Sequence, residues 1–256
     1  MINDFRHSVA AYLKAVYYLF KFRLYKYLLL LLLLLILFAF PVFIFDYIIQ
    51  FITGLIPYAS AQKYALISVN IVAAFSGFLL LLVLSPLFSV VSEEVGKKLN
   101  GQTYRFSVTQ LVKDIIRGIK ISLRNMFWQY LSVALISTGL YFLPDNKIIQ
   151  IFGNTLIILI TSYFYGFSIL DYAMENYRMS YKASVQWVRE HPGIAIGLGS
   201  IYYGIISLNN LMENRLISSH ISIYWSAFSE ALIAFLAVIA ASYLLHIKKN
   251  GAISKV

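Results

Sequence analysis

Apolar runs without charge alternate along the chain with short basic stretches, and six of these runs are predicted to be membrane helices. A membrane-spanning helix needs about 20 mainly apolar residues, because the hydrocarbon core of a bilayer is about 30 Å thick. The six segments are 27–45, 64–92, 126–143, 148–170, 192–212 and about 216–245. Only a short link after Pro144 separates the third segment from the fourth, so these two either cross fully or form a hairpin that enters the membrane partway.

Two further stretches combine an apolar face at helical spacing with basic positions on another face, which predicts amphipathic helices on the membrane surface. The first, 5–25, carries Lys14 and Lys21 off its apolar face. The second, 105–125, is predicted to hold its basic residues in water. These are Lys113, Arg117, Lys120 and Arg124.

The expected fold class is therefore an all-α membrane protein, a polytopic helical bundle with amphipathic cytoplasmic helices. Residues 1–26 form an N-terminal interfacial segment, and residues 27–247 form the membrane domain. We expect cytoplasmic helical extensions of that domain at about 89–125 and 171–191. Residues 248–256 form a basic cytoplasmic tail.

Composition and charge support this interpretation. The chain has 256 residues, of which 60% are hydrophobic and 12% charged, whereas soluble domains carry about 25% charged residues. With both termini cytoplasmic, 18 of the Lys and Arg residues in the connections lie inside and 3 outside, as the positive-inside rule requires. The sequence thus predicts a multi-pass protein of a bacterial inner membrane. The net charge of +10 is explained by orientation and by anionic lipid headgroups, so we expect no nucleic-acid partner.

The side chains that carry most enzyme chemistry are absent or scattered. The chain has no cysteine and four histidines, and it contains no P-loop, no nucleophile elbow and no zinc-protease motif. We therefore expect no enzyme activity, no metal and no cofactor. Gly193 and Gly197 stand at a spacing that allows close helix packing, either within one subunit or between the subunits of a homo-oligomer.

Glu230 is the one acidic residue inside a predicted span. Acidic residues within the bilayer are costly and often line ion or proton paths. The alternative is an outer-interface residue that reaches water or pairs with Arg215.

The run from Lys21 to Lys26 is strongly basic and directly precedes the first predicted span. Its simplest interpretation is a positive-inside signal. The functional alternative is an anion site, in which Lys21, Arg23, Lys26 and free N–H groups at a helix start hold an oxyanion.

Four groups of residues, taken in order along the chain, resemble the CysZ sulfate-permease and etoposide-induced-protein family. The most informative is Ser85-Pro86-Leu87-Phe88-Ser89-Val90-Val91-Ser92-Glu93-Glu94-Val95, followed by Leu99-Asn100-Gly101. The others are Phe22-Arg23-Leu24, then Leu170-Asp171-Tyr172 with Ser180-Tyr181 and Gly197-Leu198-Gly199, then Ala237-Val238-Ile239-Ala240-Ala241. Together they extend from about residue 20 to 247.

The resemblance implies an all-helical protein in which some helices only half-penetrate the membrane, and it implies inward transport of sulfate. The family's Gly-Leu-Arg sulfate motif matches the basic run. This match implies that Arg23 binds the oxyanion while Phe22 and Leu24 supply backbone. Lys21 stands where the motif has its glycine, which weakens any site built on exposed N–H groups.

A second part of the resemblance concerns the predicted amphipathic helix. Ser122 aligns with a glutamate of the family, and Asp114, Arg117 and Lys120 stand nearby. These three residues join Glu230 as candidate pathway residues. The last span also departs from the family, because Phe235 replaces a proline and residues 213–229 diverge.

Two functions follow from the sequence. The first is a transporter or channel for a small oxyanion, with sulfate as the leading candidate. The alternative is a non-transporting scaffold whose basic cytoplasmic helices bind lipid or a partner protein.

Overall fold

The computed structural model describes residues 1–37, 80–101, 108–144, 146–213 and 219–249, and within these ranges every regular element is an α-helix. The all-α prediction is therefore confirmed. We number the helices in chain order. They are α1 (Ile2–Lys21), α2 (Lys26–Leu37), α3 (Ser85–Asn100), α4 (Val108–Phe142), α5 (Lys147–Asn176), α6 (Tyr181–Glu190), α7 (Pro192–Glu213) and α8 (Ser219–Lys249).

Two helices in the described ranges are long and apolar enough to cross a membrane: α5, and α8 from Trp225 onward. α2 is apolar but shorter. Most of the predicted segment 64–92 and the end of segment 27–45 lie outside the described residues. The count of six spans is therefore not confirmed.

The predicted surface helix 105–125 and the predicted span 126–143 belong to one element. α4 continues without interruption for 35 residues, which corresponds to a length of about 52 Å. The change from amphipathic to apolar composition is not a helix break, because no proline interrupts the run before Pro144. The surface helix and the span predicted for this region are thus parts of one continuous helix.

α4 and α5 form an antiparallel hairpin. The half of the hairpin nearest the link between the two helices is exposed. The Asn146 side chain caps α5 by accepting a hydrogen bond from the Ile148 N–H at 2.8 Å. Near this end, Leu140 of α4 lies over Gly153 of α5. The surrounding side chains are large, apolar and exposed, as expected for a surface that faces lipid. They include Leu131, Leu135, Tyr141, Phe142, Ile148, Ile151 and Phe152.

The half of α5 farther from the link to α4, around Gly166, packs most extensively against α7. A Cβ on Gly166 would overlap the Ala195 carbonyl oxygen, and a Cβ on Gly199 would overlap the Ser162 carbonyl oxygen. The two backbones therefore touch where they cross, and only glycine fits at either position. α8 completes this core with five fully buried alanines, Ala231, Ala234, Ala237, Ala240 and Ala241.

α1 docks across α7 and α8. A Cβ on Gly197 would lie 2.6 Å from the Ser8 Cβ, so this glycine packs within the chain. The Tyr12 hydroxyl donates to the Leu198 carbonyl at 2.7 Å, and burial raises the pKa of Tyr12, which keeps it a neutral donor. The apolar face of α1 that is predicted to contact the membrane surface is not the face that packs here, which consists of Ser8, Ala11, Tyr12, Ala15 and Leu19. Phe5, Val9, Leu13, Val16, Tyr17 and Phe20 all remain exposed.

Candidate functional site

The basic run between α1 and α2 forms a tight helix cap. The Leu24 N–H donates to the Leu19 carbonyl at 2.9 Å, and the Arg23 N–H donates to the Phe20 carbonyl at 3.1 Å. This pair of bonds is the Schellman arrangement, and the buried side chains of Leu19 and Leu24 belong to it. Arg23 has a φ of +56°, a left-handed conformation in which glycine is the usual residue.

This cap leaves the charged side chains of the run in solvent. The side chains of Lys21, Arg23 and Lys26 are exposed. The Lys21 ammonium lies 5.2 Å from the centre of the Tyr17 ring, and Phe22 stacks on another α1 ring.

The hydrogen bonds of the cap also determine which groups of the basic run remain available to bind an anion. The Phe22 N–H donates to the Tyr18 carbonyl at 3.0 Å. The N–H groups of Phe22, Arg23 and Leu24 thus all bond to carbonyls of α1. The charged side chains, and not these N–H groups, are what the run offers to an anion.

A second basic site is buried between α4, α5 and α6. Arg117 Nη2 lies 2.7 Å from Asp171 Oδ1 and donates to Ser184 Oγ at 3.0 Å. Its Nη1 donates to the Met179 carbonyl. The side chains of Arg117 and Asp171 are 16% and 3% exposed. Arg117 Nε is buried and finds no acceptor among the residues that the structure describes.

Arg124 lies two turns beyond Arg117 on α4. Its guanidinium sits over the Phe167 ring, 4.9 Å from the ring centre. Arg124 Nη1 is also buried without an acceptor in the described part of the chain. The charge of Arg124 interacts electrostatically with the Asp171 carboxylate. The charges of Arg124 and of the exposed Arg189 of α6 both interact with the Tyr163 hydroxyl. We call Arg117, Arg124 and Arg189 the arginine cluster.

The arginine cluster corrects one expectation and leaves others open. Arg117 turns toward α5 and α6 because Asp171, Ser184 and a backbone carbonyl supply acceptors there. Arg124 turns toward α5, where its guanidinium lies over the Phe167 ring. Lys120, by contrast, is exposed, and Ser122 is buried. The side chain of Asp114 lies outside the described residues.

Glu230 lies apart from the arginine cluster, in the packed region between α5, α7 and α8. Its side chain is buried, with a residue exposure of 7%. It accepts a hydrogen bond from Ser226 Oγ at 2.8 Å, and its charge acts on the hydroxyls of Tyr165 and Tyr202. This burial disfavours a residue that reaches water at the outer interface. Arg215, the alternative partner, lies outside the described residues.

Several functional candidates were not predicted from the sequence. The sequence marks Asp171 as the end of an apolar segment and as part of the family resemblance, without a partner, and it places Arg124 on a solvated face. Arg117 and Asp171 are 54 residues apart, so no local spacing pairs them. The one available signal was the interval of seven between Arg117 and Arg124, which places both on one side of a helix.

Comparison with known proteins gives a family match over most of the chain. A family model described as "Sulfate transporter CysZ/Etoposide-induced protein 2.4" matches residues 11–212. The matched region contains the capped basic run and the arginine cluster. No curated protein matches the chain.

Proposed function

The chain belongs to the sulfate transporter CysZ/etoposide-induced protein 2.4 family, and on that premise we propose that it moves a small oxyanion across a membrane. Sulfate is the leading candidate. Family membership and the apolar helices α5 and α8 support the membrane location. The bacterial inner membrane, cytoplasmic termini and an ion-gradient or passive driving force belong to the same proposal.

The observation that carries this proposal is the pair of unpartnered donors in the arginine cluster. Arg117 Nε and Arg124 Nη1 are both buried, and no described residue accepts from either. An unpaired buried donor on a charged group costs at least about 1–3 kcal/mol. A tetrahedral oxyanion supplies several acceptor oxygens, and guanidinium groups bind such oxygens in forked pairs.

Charge favours the same ligand. The cluster has three guanidinium groups, and within the described residues Asp171 is the carboxylate that pairs with it. The local balance is therefore positive and suits an anion. Because Arg117 and Arg124 are partly shielded from solvent, their attraction for an anion is screened less by salt than that of surface charges.

The exposed run from Lys21 to Lys26 has a different role in this proposal. Its exposed cations attract anions to the rim of the bundle and raise their local concentration. Arg23 contacts the anion at this cytoplasmic rim, and the arginine cluster binds it within the fold. The run acts over a longer distance and more weakly than the cluster.

The test is uptake of radiolabelled sulfate into proteoliposomes that contain the purified protein. We expect saturable uptake, and we expect Arg124→Leu to reduce it at least about tenfold, equivalent to about 1.4 kcal/mol. Lys98→Ala removes an exposed charge of α3 and serves as the matched control with normal uptake. Folded protein that gives no flux above empty vesicles, for sulfate and related oxyanions, would overturn the proposal.

A second candidate function is a non-transporting scaffold that binds anionic lipid. The exposed apolar face of α1 favours it, because Leu13 and Phe20 remain 78% and 65% exposed beside Lys14 and Lys21. Replacing the exposed Lys113 and Lys120 together tests the scaffold without breaking the buried pair of Arg117 and Asp171. It predicts loss of retained anionic lipid, measured by mass spectrometry, from a protein that never shows flux.

A further inference from the structure

A line of polar side chains continues from the arginine cluster along the interface between α4 and α5. We call it the polar seam, and it consists of Asn125, Gln129, Thr161 and Ser168. Each of these residues is at most 5% exposed. Asn125 Nδ2 donates to Ser168 Oγ at 2.9 Å, which fixes the pairing of the two helices at this level.

The outward face of α4 at the same level has the opposite character. Phe127 and Leu131 are 60% and 38% exposed. α4 thus turns its amides toward α5 and its large apolar groups outward, the reverse of a helix on a soluble protein. Polar groups that face the interior of a membrane protein commonly line a pathway or a water-filled cavity.

Two oxygens of the seam lack donors. Asn125 Oδ1 and Gln129 Oε1 are buried, and neither accepts a hydrogen bond from the ranges that the structure describes. Each such oxygen costs about 1–3 kcal/mol if it stays dry. A dry seam would be more stable with leucine at both positions, because amide and leucine side chains have similar sizes.

We propose that the polar seam is water-filled and forms the part of the anion's route that follows the arginine cluster, an inference that rests on the proposed transport function. Water donates to the two amide oxygens, and the amide NH₂ groups donate to a passing anion. Uncharged amides bind an anion more weakly than guanidinium groups do, as a conducting section requires.

The position of the seam gives the route its continuity. Arg124 of the cluster directly precedes Asn125 in α4. Midway along the seam, Tyr165 lies one turn from both Thr161 and Ser168 on α5, and it interacts electrostatically with Tyr130 and Glu230. The seam therefore connects the arginine cluster to the level of the buried Glu230.

Cysteine labelling tests the proposal directly, because the chain has no cysteine of its own. We would make Asn125→Cys and Gln129→Cys, with Phe127→Cys and Leu131→Cys as controls on the outward face. The probe is the anionic, water-soluble reagent 2-sulfonatoethyl methanethiosulfonate, which reacts with the hydrated thiolate. We expect the seam positions to react at least about tenfold faster than the controls, and sulfate to slow that reaction.

The outcomes separate this inference from the proposed function. Seam positions that react no faster than the controls show a dry seam and overturn the inference, whether or not the native protein transports sulfate. Fast reaction that sulfate does not slow shows water without an anion route, and it also overturns the inference. Absence of flux in the native protein overturns the proposed function instead.

Gln129→Leu gives a second readout in case the cysteine variants fold poorly. A dry seam predicts a higher thermal midpoint and unchanged sulfate uptake in this variant. A water-filled route predicts the opposite, a fall in uptake of at least about tenfold without a gain in thermal stability. Leu131→Ala, on the outward face of the same helix, is the control for a change of side-chain volume.

Discussion

Arg23 and Arg117 are two arginines in opposite physical situations. Arg23 lies in solvent at the end of α1, in a left-handed turn whose N–H groups all bond to α1 carbonyls. Arg117 lies within the fold and forms an ion pair with Asp171 at 2.7 Å. The first is easy to recognise in a sequence because it sits in a run of charges. The second is recognised only in three dimensions.

The difference determines what each residue contributes. An exposed charge interacts with an anion through water, and salt screens it within about 8–10 Å. A buried guanidinium must be compensated within the fold, so its removal affects stability as well as binding. Variants of Arg117 and Arg23 should therefore differ in kind and in magnitude.

The largest expected effect is that of Arg117→Met. This change leaves Asp171 buried without its cation, and breaking a buried pair in this way costs about 3–5 kcal/mol. Because Arg117 is 16% exposed, we expect the lower end of that range. Thermal unfolding of the detergent-solubilised protein, with the amount of folded material recovered, measures the loss.

Arg117→Met combined with Asp171→Leu separates folding from function. With both charges gone, no buried ion is left unpaired, so most of the lost stability should return. Sulfate uptake should remain low, because one donor of the cluster is missing. Recovered uptake in the double variant would mean that Arg117 serves only the fold.

Much of the helical architecture could be predicted from apolar runs and their boundaries. The apolar run that begins at Pro192 corresponds to α7, and the apolar run between Lys147 and Asp171 corresponds to most of α5. Composition did not show that the backbone continues unbroken through α4. Nor did it show that Asp171, where an apolar run ends, pairs with Arg117 of α4.

The candidate site likewise contains one part that the sequence predicts and one part that it does not. The exposed basic run could be found because its residues are contiguous, whereas the arginine cluster and its partner Asp171 come from three helices. The resemblance pointed to Arg117 without its partner. The orientation of the termini and the role of Arg23 stay predictions, because both depend on a membrane and an anion.

Glu230 is an intermediate case, a buried charge of the opposite sign. Glu230→Leu removes an acceptor from Ser226 and should lower stability by about 1–3 kcal/mol. Glu230→Gln keeps an acceptor oxygen and should cost less. If Glu230 faces the anion's route, both variants raise sulfate uptake by removing a repulsive charge. Unchanged uptake in stable Glu230→Gln would make the residue purely structural.

The smallest effect should come from Arg23, and it requires two substitutions to interpret. Arg23→Ala removes the guanidinium but keeps the left-handed strain. Arg23→Gly removes both. A non-glycine residue in this conformation lowers the stability of the folded state by about 1–2 kcal/mol. Glycine avoids that strain, but the greater conformational freedom that it loses on folding lowers stability by about 0.5–1 kcal/mol. Arg23→Gly should therefore be the more stable variant by about 0.5–1 kcal/mol, measured by thermal unfolding.

Function should not follow that difference in stability. Both Arg23 variants lack the exposed charge, so both should show the same two- to fivefold loss of apparent sulfate affinity, and the loss should shrink as salt screens the site. Arg178→Ala is the matched control, because Arg178 has a φ of +51° at the end of α5 and its charge lies outside the basic run. If Arg23→Ala alone lost affinity while Arg23→Gly kept it, the geometry of the cap, not the charge of Arg23, would govern the site.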